Sequence, residues 1–298
     1  MTAEDAFELK VNQQIERLQS RSFGVIEAEV AQKRIDWVAQ NRMIVPPRPA
    51  LSPRQAFELL FFTYMGLATQ DLPVVAETDQ QISWLSSNPC PTLEACLRLG
   101  LDTRQVCRSA YEKSTQAFLS QLDPQLRFYR SYQEIRPYAP YCRETIQLVD
   151  FSAMMAQAVA EAKISRQQGN KGYGAVLALG ENIRIKSHDT AVSGHGPELH
   201  AELNAVRRAV RLTGDANLSG GILFSTCEPC PMCSSLAVWA NLTTLVYGVS
   251  IQETASLGKA RIRVSAQQIV EASPVHIDVI GGVLKEECRA LYQEPPNY

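Results

Sequence analysis

Apolar positions in the first half of the chain recur at helical steps. Phe57, Leu60, Phe61, Tyr64 and Leu67 fall three or four apart, and Ser52-Pro53 ahead of them supplies a cap and a first-turn proline. Asp102 heads a second such pattern through Val106, Tyr111 and Phe118 toward Leu122, and Asp123-Pro124 predicts a third helix carrying Leu126, Phe128 and Tyr129. Pro46-Pro47-Arg48-Pro49 reads as a stiff connection. Strand-like alternation is nearly absent over residues 4–146, so the expectation is an all-α N-terminal domain, residues 1–146, with its aromatic stripes as core and no role assigned.

Pro137 and Pro140 read as a hinge, after which the pattern changes. A helix is predicted over 149–166, then a hairpin of 174–179 and 183–187 joined by Gly180-Glu181-Asn182. Next come a helix from about 198 with Leu199, Leu203, Val206 and Val210 on one face, an apolar run at 221–225, and a helix opening at Cys230. A strand at 245–249, a helix at 266–271, a strand at 276–280 and a helix from Val283 complete residues 147–298. Apolar runs alternating with helices predict an α/β layered sheet.

Composition adds bounds. The chain has 298 residues, enough for two domains, and 45% hydrophobic and 20% charged residues, ordinary for a folded protein. Net charge is −2, spread evenly, with 16 Lys+Arg against 17 Asp+Glu through residue 149 and 13 against 14 after it. That balance disfavours RNA as a partner, since a phosphate backbone demands clustered cations. The acidic start Met1-Thr2-Ala3-Glu4-Asp5 is no secretory signal, and the apolar run from Leu59 to Ala68 is too short to span a bilayer, so a cytoplasmic protein is expected. Eight cysteines then suggest thiols and metal ahead of disulfides.

The candidate chemistry is His200-Ala201-Glu202 followed by Pro229-Cys230-Pro231-Met232-Cys233. Cys230 and Cys233, three apart at a helix opening, share a face, and Pro231 suits the first turn. His200 and Glu202, two apart, would diverge within a helix, so they must act at its opening turn. A Cys-x-x-Cys pair alone also fits a redox dithiol. With His200 upstream the set becomes three metal ligands and one unattached carboxylate, the pattern of a catalytic zinc site.

At these residues, and at Gly174-Ala175-Val176, Thr226-Cys227-Glu228, Gly281-Gly282-Val283-Leu284 and Glu287-Cys288, the chain resembles the cytidine and deoxycytidylate deaminase superfamily. The likeness is greatest to its guanine deaminase, cytosine deaminase and tRNA adenosine deaminase branch, and covers the second half. It implies a three-layer αβα domain over residues 147–298 with a central five-stranded mixed sheet. It further implies one zinc per chain on His200, Cys230 and Cys233, Glu202 as catalytic proton carrier, and Asp189 and Ala201 at the substrate. The implied reaction is hydrolytic deamination of a nucleobase or nucleoside, hydroxide from zinc-activated water attacking the amine-bearing ring carbon with release of ammonia. The alternatives are a tRNA-specific adenosine deaminase and a non-catalytic zinc-stabilised interaction module. A homodimer and a small-molecule substrate are the implied partners.

The chain departs from the family pattern at Asp189, where an asparagine is usual. An ionised aspartate only accepts hydrogen bonds, so it would favour a base presenting N–H groups; it could equally cap the amides of Thr190 or Ala191. His188 and His195 read as exposed loop residues, Cys227 as a non-ligand, and Trp239 as core. Cys90, Cys96, Cys107 and Cys142 fit no ligand spacing and read as buried thiols.

Overall fold

The computed structural model describes residues 2–45, 51–273, 275 and 277–293. Pro46-Pro47-Arg48-Pro49, the start of the expected strand at His276, and the segment 294–298 lie outside the described residues. Two compact units divide the chain, Met1–Val149 and Asp150–Tyr298. The division falls after 149, three residues past the expected 146, because the last strand of the first unit runs on to Leu148.

The first unit opens with helices α1 (Ala3–Ser20), α2 (Phe23–Gln40) and α3 (Pro53–Phe57), the last continuing as a π-helical segment, Glu58–Tyr64. Strands β1 (Val74–Thr78) and β2 (Gln81–Ser86) form a hairpin. Helices α4 (Pro91–Leu99), α5 (Thr103–Cys107) and α6 (Lys113–Leu122) lead to β3 (Leu126–Arg130) and β4 (Cys142–Leu148). The four strands make one antiparallel sheet in the order β1-β2-β4-β3. The unit is therefore helical but not all-α. Residues 126–130, expected as a helix, alternate: Leu126 and Phe128 turn into an aromatic core with Trp84, Phe57 and Phe118, and period two beats period 3.6. Ile82 and Trp84 alternate likewise about Ser83, a signal only two residues long. Pro137 and Pro140 lie in the β3–β4 connection and not between the units.

In the second unit α7 (Phe151–Gln167) precedes the hairpin β5 (Gly174–Leu179) and β6 (Ile183–His188). There follow α8 (Ala201–Thr213), β7 (Ile222–Cys227), α9 (Pro231–Trp239) and β8 (Thr244–Val249). Helices α10 (Ile251–Ser256) and α11 (Ala266–Glu271), strand β9 (Asp278–Gly281) and helix α12 (Lys285–Gln293) complete it. The sheet order is β6-β5-β7-β8-β9, antiparallel through β7 and parallel from β7 to β9. Ala175, Leu177, Leu223 and Leu245 face Ala205, Ala209, Ala237 and Val270 of α8, α9 and α11. On the opposite face Phe151 of α7 meets Phe224 of β7 edge to face at 5.3 Å. The result is the expected three-layer αβα arrangement. At Gly174 an added Cβ would stand 1.9 Å from the Ala158 carbonyl oxygen, so β5 meets α7 backbone to backbone there.

Candidate metal centre

Two helix starts bring the candidate residues together. His200 is the N-cap of α8 (φ −70°, ψ 156°) and Cys230 the N-cap of α9 (φ −64°, ψ 168°). A residue in this position normally turns its side chain back onto first-turn amides. Neither does, so both side chains are free for other partners. Cys233 lies in the first turn behind Pro231. The approach to α9 is fixed from below: Glu228 accepts from Ile251 N at 2.8 Å and from Ala266 N at 2.9 Å, the leading amides of α10 and α11, and Ser234 Oγ donates to the Pro229 carbonyl at 3.0 Å.

His200 Nδ1 lies 3.6 Å from Cys230 Sγ and 3.7 Å from Cys233 Sγ, and all three donor atoms fall within 4.8 Å of one another. A tetrahedral zinc with Zn–S about 2.3 Å and Zn–N about 2.0–2.1 Å has N···S edges of about 3.6 Å. The trio fits that ion in spacing and in donor softness. The S–H of Cys233 donates to Cys230, which with His200 draws the Cys230 thiol down to about 4, while the same bond pushes Cys233 up. The Cys230 sulfur in turn raises His200. Cys227 is outside the trio, its Sγ 3.7 Å from Thr254 Oγ1.

Glu202, in the first turn of α8, is 6% exposed, and burial pushes its carboxyl up, with the nearby Cys230 charge adding to the effect. Ser225 Oγ, on β7, donates to Glu202 Oε1 at 3.1 Å. Nothing in the apolar run at 221–225 singled Ser225 out. Ala201 is fully buried. Asp189, at the end of β6, is also fully buried: its Oδ1 accepts from Ala191 N at 3.1 Å, which is the capping contact, and its Oδ2 has no partner. Asn204 of α8, another residue the motifs did not reveal, donates from Nδ2 to His188 O and Thr190 Oγ1, both at 3.0 Å, holding this loop against the helix.

His188 is half-buried, pairing with Glu161 at 2.7 Å and Gln168 at 3.1 Å, while His195 is exposed at φ 52°. Trp239, expected in the core, is 80% exposed, because the buried positions of α9 are Cys233, Ser234, Ala237 and Val238. Arg207, Arg208 and Arg211 of α8 line a concavity of about 330 Å³ with Ser187, His188 and Thr190. Whole-chain charge balance concealed this local concentration of cations.

Residues 149–249 match the family described as the cytidine and deoxycytidylate deaminase zinc-binding region. A tRNA-specific adenosine deaminase of Bacillus subtilis is 28% identical over 137 residues, 46% of this chain and 83% of its own. A guanine deaminase of the same organism is 35% identical over 86 residues, 29% of this chain and 55% of its own. A tRNA-specific adenosine deaminase of Rickettsia bellii is 33% identical over 98 residues, 32% of this chain and 68% of its own. The chain belongs to the cytidine and deoxycytidylate deaminase superfamily. The deaminase match starts beside the division between the units, ends with β8, and contains His200, Glu202, Cys230 and Cys233. The N-terminal unit lies outside it, save for Val149. Among the described residues no helix is long and apolar enough to cross a membrane.

Proposed function

We propose that the second unit is a zinc-dependent deaminase that hydrolyses the exocyclic amine of a nucleobase or nucleoside. One observation carries the reading: one imidazole and two sulfurs at zinc spacing, with a buried carboxylate two residues from the histidine and outside the trio. His200, Cys230 and Cys233 would hold the ion. Bound there, zinc supplies Lewis acidity that lets a water lose its proton near neutral pH.

The chain's own residues account for the rest. With Ser225 fixing Oε1, Glu202 Oε2 is the atom that takes a proton from the attacking water and returns it to the departing amine. Water adds at the amine-bearing carbon, the C–N bond breaks, ammonia leaves and a carbonyl remains. Asp189, with one oxygen committed to Ala191 and the other unpartnered, offers a buried acceptor to ring N–H groups of the base. A buried acceptor left unpaired costs about 1–3 kcal/mol, so bases without such a donor are selected against.

The test is zinc content together with ammonia release from a panel of free bases, nucleosides and tRNA. Turnover of a base or nucleoside by zinc-loaded protein is the expected result. Zinc-loaded protein that is silent on the whole panel is a structural module and not an enzyme. A second reading, tRNA as substrate, is favoured by the arginine-lined concavity beside Asn204 and His188. Turnover of tRNA that falls on Arg207→Ala and Arg211→Ala, with free bases inert, would select it.

A further inference from the structure

One face of α8 carries Asn204, Arg207, Arg208 and Arg211, three and four residues apart, and meets the end of β6. Together with Ser187, His188 and Thr190 it walls the concavity of about 330 Å³, at the low end of small-ligand pockets, which run to about 300–1,000 Å³. Neither Asp189 nor any of His200, Glu202, Cys230 and Cys233 lines it, so the concavity is separate from the metal centre.

Its donors are largely unspent. Arg208 gives Nη1 to the Lys186 carbonyl on the edge strand β6 at 2.6 Å, whereas Arg207 and Arg211 make no hydrogen bond or ion pair among the described residues. No carboxylate lines the concavity, and Glu161 of α7, which touches one of its walls, is engaged with His188 Nδ1 at 2.7 Å. Cations three and four apart on a helix repel by about 0.2–0.5 kcal/mol per pair. The negative end of the helix dipole favours Arg211 in the last turn of α8, but accounts for neither Arg207 nor Arg208 before it. Ser187 is only 5% exposed, yet it lines the concavity and its hydroxyl makes no hydrogen bond among the described residues. Thr190 Oγ1 accepts from Asn204 Nδ2 at 3.0 Å and keeps its own proton to donate.

We propose that this concavity binds a small phosphomonoester, its phosphate held by Arg207, Arg208 and Arg211 and by the hydroxyls of Ser187 and Thr190. A phosphate ester brings a charge of about −1.5 to −2 and three strong acceptor oxygens, and guanidinium forks meet it two bonds at a time. A carboxylate, with a single charge and two oxygens, leaves part of this donor set unmet. An RNA backbone is the poorer match. It needs cations spread along a surface, whereas the chain after residue 149 holds 13 Lys+Arg against 14 Asp+Glu and gathers these three arginines into one hollow. Because the hollow is separate from the metal centre, its occupancy does not depend on the proposed deamination.

The zinc-loaded full-length protein is titrated in equilibrium dialysis with ribose 5-phosphate, which carries no amine to hydrolyse, and in parallel with ribose and with tRNA. Saturable binding of ribose 5-phosphate with Kd below about 1 mM is expected, and none of ribose. Arg207→Gln combined with Arg211→Gln should weaken that binding at least tenfold, with zinc content and melting temperature unchanged because both side chains are exposed and unpaired. Ser187→Ala should weaken it about tenfold, the value of a hydrogen bond to a charged acceptor. Absence of saturable binding, equal binding of ribose, or full affinity in the double variant, as for phosphate resting on the metal, each overturns the proposal. So does tRNA bound through the same arginines while ribose 5-phosphate is not, a result that assigns the hollow to an RNA backbone.

Discussion

Glu202→Gln isolates the proton carrier from the metal ligands. The amide keeps the length and the Oε1 acceptor of the carboxylate, so the 3.1 Å bond from Ser225 Oγ, about 1 kcal/mol in value, survives. Burial already opposes the Glu202 charge, so a neutral side chain fits the pocket at no loss of stability. The melting temperature and zinc content should therefore stay at the parent values. Catalysis should not. Removing a positioned general acid–base group lowers turnover by about 10²–10⁴-fold, or roughly 3–5 kcal/mol of barrier, and Glu202 is asked to serve both the water and the leaving amine. Ammonia release under saturating substrate, with zinc measured on the same sample, gives kcat per metal-loaded site. KM should move little, since Asp189 and the trio are unaltered. A variant that keeps more than a tenth of the parent kcat with zinc bound refutes the proton-carrier role; one that loses its zinc shows that the carboxylate belongs to the ligand set.

Ser225→Ala should cut kcat about tenfold without changing zinc content or KM, because the carboxylate loses the bond that orients it; parallel kinetics and metal analysis check this. Stripping zinc with a chelator should lower stability by about 4 kcal/mol relative to protein in free zinc at a thousand times Kd, read as a fall in melting temperature that added zinc reverses. Gly174→Ala should destabilise by about 3 kcal/mol or block folding, since the methyl would meet the Ala158 oxygen at 1.9 Å and the Ala162 nitrogen at 2.5 Å; chemical denaturation measures it. Glu144→Ala should cost about 3–5 kcal/mol, because it strands Arg130, removes the acceptor of Ser86 Oγ and takes one of two acceptors from Trp84 Nε1; urea unfolding of this variant within 1 kcal/mol of the parent, on the scale of an exposed pair, would contradict the buried-network account.

The second unit was legible because its signals are long. Strands such as 174–179 are continuous apolar runs, and α8 shows a sustained helical period, so layer architecture followed from pattern. The first unit was not, because β1 is exposed along its whole length and β2 alternates over only Ile82 and Trp84. Helix α10 escaped notice although Ser250 and Glu253 form a capping box that was there to be read. At the site, the donor residues stood in a compact motif, whereas Ser225, Asn204 and the Arg207–Arg211 concavity depend on which faces of β7 and α8 the fold turns inward or outward.

That α8 and α9 begin on His200 and Cys230 with their cap bonds unmade has a bearing on how this centre tolerates change. A serine or aspartate in either place would tighten the helix by about 1 kcal/mol, so the chain forgoes local order at both entrances. The loops leading in can then lengthen, shorten or diversify at little expense, as long as each delivers its donor at the opening residue. Phase, and not loop length, is the quantity held fixed: sliding either helix start by a single residue would swing its donor about 100° around the axis and dissolve the trio.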